Sequence, residues 1–263
     1  MPPETALLSV ERISKRFGGI CALQDISFQV GQAEIVGLVG DNGAGKSTFI
    51  NILMGVIAPD AGEIRFDGRR VRFTSPKQAR QAGIEPVYQQ SALADLMNLW
   101  RNFFLGRELV RWVGPFRLLD KKAMRRASMA IVNEIGVGLR SADEGVRRLS
   151  GGERQAICIG RSMHFDAKLL LLDEPTAALS VRETRRVLRF AEESKSRGVS
   201  VIIVDHNIHH IYPIVDKFVV LDRGRKLAEI NQCDVCAEDV IQVVASGRYE
   251  CGQGAAPSEE ENA

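Results

Sequence analysis

Glu34-Ile35-Val36-Gly37-Leu38-Val39 runs directly into Gly40-Asp41-Asn42-Gly43-Ala44-Gly45-Lys46-Ser47-Thr48. The first six residues form a short apolar run of the kind that makes a buried strand. The next nine match the phosphate-binding loop pattern in full. Glycines let such a backbone wrap closely, so several N–H groups face one phosphate chain. The helix expected over 48–55 adds the positive end of its dipole. Lys46 supplies a charge for β and γ phosphates, and the Ser47 hydroxyl suits Mg²⁺. The candidate phosphate contacts are therefore Gly40, Asn42, Gly43, Ala44, Gly45, Lys46, Ser47 and Thr48. A glycine-rich turn that binds nothing is the plainer reading, and the strand before and helix after argue against it. The loop alone does not name a reaction, because many unrelated folds and chemistries share such a site.

Working outward, residues 7–39 read as strand-rich. Leu8, Val10 and Ile13 precede a turn at Gly18-Gly19, and Ile26, Phe28 and Val30 alternate with the period of a half-buried strand. Turn residues at 59–62 and 67–68 bracket another strand, 63–66. From about 91 to 160 the chain is rich in Arg and Lys and helical in pattern, and reads as an inserted helical subdomain. Strands return at 168–173, 199–204 and 217–222, with a helix over 182–197. This alternation implies an α/β fold with a largely parallel sheet. One folded unit over 1–248 is expected. The Gly-, Ala-, Pro-, Ser- and Glu-rich tail over 249–263 is expected to be disordered.

The chain has 263 residues, 45% hydrophobic and 26% charged, with a formal net charge of +2. That is near neutral, and gives no reason to expect nucleic acid as a partner. The longest apolar runs, 169–172, 201–204 and 218–221, fall far short of the roughly 20 residues of a membrane-spanning helix. The N-terminus lacks a basic start followed by an apolar stretch. A cytoplasmic chain is expected, with any link to a membrane made through a partner. The five cysteines are scattered, and Cys233 and Cys236 form a lone C-x-x-C that reads as incidental thiols.

Two further stretches carry chemistry. Lys168-Leu169-Leu170-Leu171-Leu172-Asp173-Glu174-Pro175 is a buried strand ending in two acids. Asp173 is placed to hold a Mg²⁺ shell, and Glu174 could polarise an attacking water. Leu149-Ser150-Gly151-Gly152-Glu153-Arg154-Gln155 opens a helical run over 156–163. Ser150 and Glu153 have the capping-box spacing, so a well-capped helix is one reading. The same helix start, with two glycines, also exposes N–H donors that can grip a terminal phosphate. One chain already holds a phosphate loop, so this second anion site most naturally faces a second chain.

The 149–155 stretch resembles the signature of ATP-binding-cassette (ABC) proteins, and the resemblance covers roughly residues 7–230. It implies a P-loop NTPase (RecA-like) core, an N-terminal antiparallel β subdomain and an inserted α-helical subdomain. It implies ATP and Mg²⁺ as ligands and a head-to-tail homodimer. Ser150, Gly151, Gly152, Glu153 and Gln155 of each copy would then face the partner's ATP. Phe17 resembles the aromatic that stacks on adenine. Gln89 resembles the glutamine that senses Mg²⁺, beside Ser47 and Asp173. His206 resembles the histidine that contacts the γ-phosphate, and with Glu174 makes the catalytic pair. His164, His209 and His210 are read as ordinary surface or core residues. Two positions depart from the family pattern. Ser180 stands where Asp is frequent. Asp205 stands where a small hydroxyl residue is usual, close enough to influence His206.

Finer resemblance points to importers of monosaccharides. It rests on 87–89, Ala92-Leu93-Ala94-Asp95, Asn102, Leu105-Gly106-Arg107-Glu108, 176–179 and His206-Asn207. Branched-chain amino acid importers are the rival, and cassettes that act on ribosomes or DNA a more distant one. The resemblance implies transmembrane permease subunits as partners, an extracytoplasmic solute-binding protein acting indirectly, and a peripheral place on the cytoplasmic face of the inner membrane. Trp100, Phe103, Phe104, Trp112 and Phe116 are expected to be mostly core, or to line a groove for a short cytoplasmic helix of the permease. Arg101, Arg107, Arg111, Lys121, Lys122, Arg125 and Arg126 are expected on a solvated face.

Overall fold

Apolar runs with no polar alternation belong in the middle of a sheet covered on both faces. The computed structural model, which describes residues 6–88, 93–134, 138–176 and 181–249, puts them there. In chain order the elements are β1 (Ala6–Phe17), β2 (Ile20–Gly31), β3 (Ile35–Val39), α1 (Lys46–Leu53), β4 (Ala61–Phe66), β5 (Arg69–Val71), α2 (Pro76–Ala82) and β6 (Ile84–Tyr88). Then follow α3 (Leu99–Phe103), β7 (Val110–Val113), β8 (Phe116–Leu119), α4 (Lys121–Glu134), α5 (Gly151–His164), β9 (Leu169–Asp173) and α6 (Val181–Ser196). The chain closes with β10 (Ser200–Val204), α7 (Ile208–Ile211), β11 (Lys217–Asp222), β12 (Arg225–Asn231) and α8 (Ala237–Ser246).

Six strands form one sheet in the order β12-β11-β3-β10-β9-β6. All pairs are parallel except β11 with the edge strand β12. Alternate residues along each inner strand enter different cores, as a period of two requires. Val36, Leu38, Leu171, Ile202 and Val204 join a cluster with Phe49 and Leu53 of α1. Ile35, Val39, Leu170, Val201 and Ile203 face the other way, toward Phe190 of α6, Ile211 of α7 and Val240 of α8. The first cluster also holds Leu8, Val10, Ile26 and Phe28 of a second, antiparallel sheet ordered β2-β1-β4-β5. Burying each such aliphatic side chain contributes ~1.5–3 kcal/mol.

A third cluster gathers Leu93, Leu99, Trp100, Phe103, Phe104, Met124, Val132 and Ile157. These come from the stretch read as a helical insertion, which is not helical throughout. Between α3 and α4 it carries the hairpin β7–β8, all eight strand residues of which are exposed. The segment Val-Arg-Trp-Val-Gly-Pro-Phe-Arg-Leu-Leu has β-branched and aromatic residues on either side of a Gly-Pro turn. That is hairpin chemistry, and it overrides the Arg-rich helical look of its surroundings. The aromatic set therefore divides: Trp100, Phe103 and Phe104 are core, whereas Trp112 (70% exposed) and Phe116 (68%) stand on the hairpin. Arg107 also departs from the expected solvated face. It pairs at 2.7 Å with Glu85 of β6, whose side chain is 5% exposed. The tail from 250 onward, Gln89 and Ser180 lie outside the described residues.

Candidate functional site

Parallel strands deliver their C-terminal ends to one edge of the sheet, where ligands of α/β folds bind. Here β3, β9 and β10 are neighbours, and the residues that follow them meet around a cavity of about 280 Å³. Gly40, Asp41 and Asn42 line it after β3, Glu174 after β9, and Asp205 and His206 after β10. Three stretches read separately in the sequence thus converge. The cavity is smaller than the ~300–1,000 Å³ pockets that enclose a whole drug-sized ligand. It suits the phosphate end of a nucleotide.

The loop between β3 and α1 is held by close backbone approaches. Gly45 has φ 103°, and a Cβ there would meet Leu23 Cδ2 at 2.6 Å and the Ala22 carbonyl at 2.7 Å. A Cβ on Gly40 would collide with the Leu221 carbonyl oxygen. The turn between β11 and β12 adds a brace: Gly224 N–H donates to the Ala44 carbonyl (3.1 Å), and Gln24 N–H donates to the Gly224 carbonyl (2.7 Å). Sequence reading missed this brace. Its only signal is the Asp222-Arg223-Gly224 turn after a strand. The first hydrogen bond of α1 runs from Phe49 N–H to the Gly45 carbonyl (2.9 Å). The amides of Lys46, Ser47 and Thr48 are thus the free donors that a helix start presents. Together with the dipole they favour an anion.

Lys46 is buried, and its Nζ donates to the carbonyls of Gly40 (2.5 Å) and Asp41 (2.9 Å). Two of its three N–H donors are so engaged, leaving one for a ligand. Burial pushes its pKa down, opposed by Glu174, Asp41 and Asp173. Burial pushes the Asp173 carboxyl up, and the neighbouring Glu174 adds to this against the pull of Lys46. Two carboxylates beside one lysine make a site short of positive charge. Glu174 itself has φ 47°, left-handed for a residue with a side chain, and its N–H donates to the Val204 carbonyl at 2.7 Å. Such a conformation costs ~1–3 kcal/mol and persists where surrounding contacts impose it. Here the bond to the adjacent strand end turns the Glu174 side chain into the cavity.

His206 is 60% exposed on its side chain, and its Nδ1 lies 4.0 Å from Asp205 Oδ1. The Asp205 carboxylate is fully buried and engages other partners, the Thr176 hydroxyl (2.7 Å) and Asn207 N–H (2.9 Å). Val244 of α8 closes one side of the cavity, a contribution with no sequence signal.

The remaining candidates lie elsewhere. Phe17, 46% exposed with Lys15 Nζ 5.5 Å from its ring centroid, sits at the tip of the β1–β2 hairpin. Strand β2 is the one that packs Ala22 and Leu23 against Gly45. Ser150 and Glu153 do not line the cavity. They form the capping box of α5: Ser150 N–H and hydroxyl both donate to Glu153 Oε2 (2.8 Å each), and Glu153 N–H donates to Ser150 Oγ (3.3 Å). Those bonds hold the Glu153 carboxyl below its usual range. Gly151 and Gly152 open the helix itself. Cys236 caps α8 through its contacts with Asp239.

Comparison with known proteins identifies the family. Residues 23–177 match the family model described as ABC transporter. The chain is 40% identical to the xylose/arabinose import ATP-binding protein of Sulfolobus acidocaldarius, over 91% of this chain and 94% of that protein. It is 37% identical to the fructose import ATP-binding protein of Rhizobium meliloti, over 92% and 95%. A ribose import ATP-binding protein of Hahella chejuensis is 38% identical, and there the chain spans 47% of the relative's length. The fold matches the ADP conformation of an ATP-binding cassette of an ABC transporter, with a TM-score of 0.74 at 24% identity, over 91% of this chain and 95% of that one. The chain belongs to the ABC transporter family, as one of its ATPase cassettes.

Proposed function

We propose that the chain powers uptake of a small solute, a monosaccharide, through a permease, and that it works as a head-to-tail pair with one ATP at each of two interfaces. The observation that carries the catalytic part is the convergence of Gly40, Asp41 and Asn42 of the phosphate loop with Glu174 and His206 on one cavity. The relatives named for xylose/arabinose and fructose import, which this chain matches along nearly its whole length, support the substrate class.

Lys46 and the amides at the start of α1 hold the β and γ phosphates, and Phe17 offers its exposed face to the base. The donors near the phosphates are oxygens: the Ser47 hydroxyl and the Asp173 carboxylate. That set suits Mg²⁺, which takes few protein ligands and completes its shell with water and phosphate. Burial and the adjacent Glu174 both disfavour charge on Asp173, which a bound cation would offset. Ser47 and Asp173 would hold the ion, with Gln89 as a further ligand. When bound it neutralises charge on the phosphate oxygens. Glu174 orients a water and accepts its proton as the water attacks the γ-phosphorus. The bond to the ADP leaving oxygen breaks on the opposite side. His206 donates to a γ-phosphate oxygen, and Ser150, Gly151 and Gly152 of the second copy, with Glu153 and Gln155 behind them, close the site. Closure draws the two helical insertions together and moves the permease, at the cytoplasmic face of the membrane. Among the described residues no helix is long and apolar enough to cross a membrane.

Replacing Glu174 with Gln tests this assignment. The variant should bind ATP with Mg²⁺ and elute as a dimer on sizing chromatography. Its turnover should fall by about 10²–10⁴, the usual contribution of a general base. Turnover near that of the parent would remove Glu174 from the role.

A further inference from the structure

His210, which reads as incidental in the sequence, is half-buried beside the candidate catalytic cavity and belongs to a closed ring of polar contacts. Thr176 Oγ1 lies 2.7 Å from Asp205 Oδ2, and Asn207 N–H donates to Asp205 Oδ1 at 2.9 Å. His210 Nδ1 lies 3.2 Å from Thr176 Oγ1, and His210 Nε2 lies 3.3 Å from Asn207 Nδ2. Asp205 is fully buried and Thr176 nearly so.

With the Asn207 amide as placed, the donors follow in turn. An ionised carboxylate only accepts, so the single Thr176 hydroxyl proton goes to Asp205. Thr176 Oγ1 must then accept from His210 Nδ1–H. An amide nitrogen only donates, so His210 Nε2 accepts from Asn207. With Asn207 Nδ2 turned toward the ring, the contacts are satisfied when the His210 proton sits on Nδ1. Buried polar groups arranged this way rigidify what they join, since breaking any bond strands a partner.

What they join is the catalytic machinery. Thr176 lies two residues beyond Glu174, and Asp205 precedes His206. The Glu174 N–H bond to the Val204 carbonyl ties the same two segments one step earlier. The geometry points to Asp205, Thr176 and His210 as positioning residues that hold Glu174 and His206 at a set separation across the cavity. This rests on the assignment of hydrolysis to Glu174 and His206. It accounts for an Asp, rather than a small hydroxyl residue, at position 205. A short hydroxyl side chain there could not accept from Thr176 and Asn207 at once through two separate oxygens.

The test compares Thr176→Val, Thr176→Ser and Asp205→Asn in the purified full chain, with Glu174→Gln in parallel. Val keeps the shape of Thr and removes the hydroxyl, whereas Ser keeps the hydroxyl. We expect Thr176→Val and Asp205→Asn to lose about 10- to 100-fold in kcat, the scale of a small misplacement of reacting groups, with KM for ATP little changed. Thr176→Ser should retain most of the turnover. The ¹⁵N shifts of the His210 ring should report the Nδ1–H tautomer in the parent and its loss in Thr176→Val. The proposal is overturned if Thr176→Val turns over like the parent, if Thr176→Ser loses as much as Thr176→Val, or if the parent ring carries its proton on Nε2. Normal hydrolysis by Glu174→Gln would instead overturn the site assignment, and the proposal with it.

Discussion

Glu174 combines a left-handed backbone with a place beside Asp173 and Lys46, and Gly45 shows how little room the phosphate loop leaves for a side chain. Ala at position 45 would need φ near 103° and would press its methyl group into Leu23 and the Ala22 carbonyl. Gly45→Ala should therefore cost at least about 2 kcal/mol and abolish nucleotide binding, as read by thermal unfolding and by titration with a fluorescent nucleotide. Asp173 gives a pH-dependent case. Its folded-state pKa lies above the ordinary value, so its ionisation disfavours the nucleotide-free fold. That cost is absent below the unfolded pKa, near 3.8, and grows as pH rises through the folded value. Asp173→Asn should accordingly raise Tm of the nucleotide-free chain at pH 7. The gain should vanish toward pH 3, while Mg²⁺-dependent turnover is lost. A Tm gain that is the same at both pH values would contradict this account.

Elements join through contacts that the sequence pattern only partly announces. Asp95, Asn102 and Arg107, from the motifs that carried the finer family resemblance, act as fastenings within the insertion and to the main sheet. Asn102 is fully buried: its Oδ1 accepts from Ala94 N–H (2.6 Å), and its Nδ2 donates to the carbonyls of Ala94, Met97 and Asn98. Asp95 pairs with Arg154 in the first turn of α5 (2.6 Å). Arg107 reaches from beyond α3 to Glu85 and the Arg80 carbonyl, and its guanidinium lies 4.5 Å from the Phe165 ring centroid. Removing one partner of such a pair leaves a buried charge. Arg107→Ala should cost about 3 kcal/mol, and Arg107→Met combined with Glu85→Gln should recover most of that in denaturant unfolding. The hairpin behaves in the opposite way. Trp112 and Phe116 are exposed, so Trp112→Ser and Phe116→Ser should shift stability by less than about 0.5 kcal/mol. A large loss of Tm in either would mean that the hairpin packs into the fold.

At the scale of the molecule, legibility followed sequence distance. The phosphate loop, the Asp173-Glu174 pair and the Ser150–Glu153 box could be read because each is a contiguous run whose chemistry demands particular residues. The six-stranded sheet was legible because its inner strands are unbroken apolar runs. The Gly224 brace, the Val244 wall and the Thr176–His210 contact were not. Topology alone brings those residues together, across separations that no local pattern records. The β7–β8 hairpin was not read because the stretch around it is rich in Arg and Lys and helical in pattern.

The α5 helix start does not line the cavity of a single chain, and the Ser150 hydroxyl is occupied by Glu153; the proposed head-to-tail pair would bring it to a partner's site. The most direct test is the steady-state rate of ATP hydrolysis with Mg²⁺ as a function of chain concentration. If two copies build each site, the rate should rise more steeply than linearly and become proportional to chain only once the pairs are formed. A rate strictly proportional to chain concentration throughout, from chains that remain monomeric with ATP, would contradict the account.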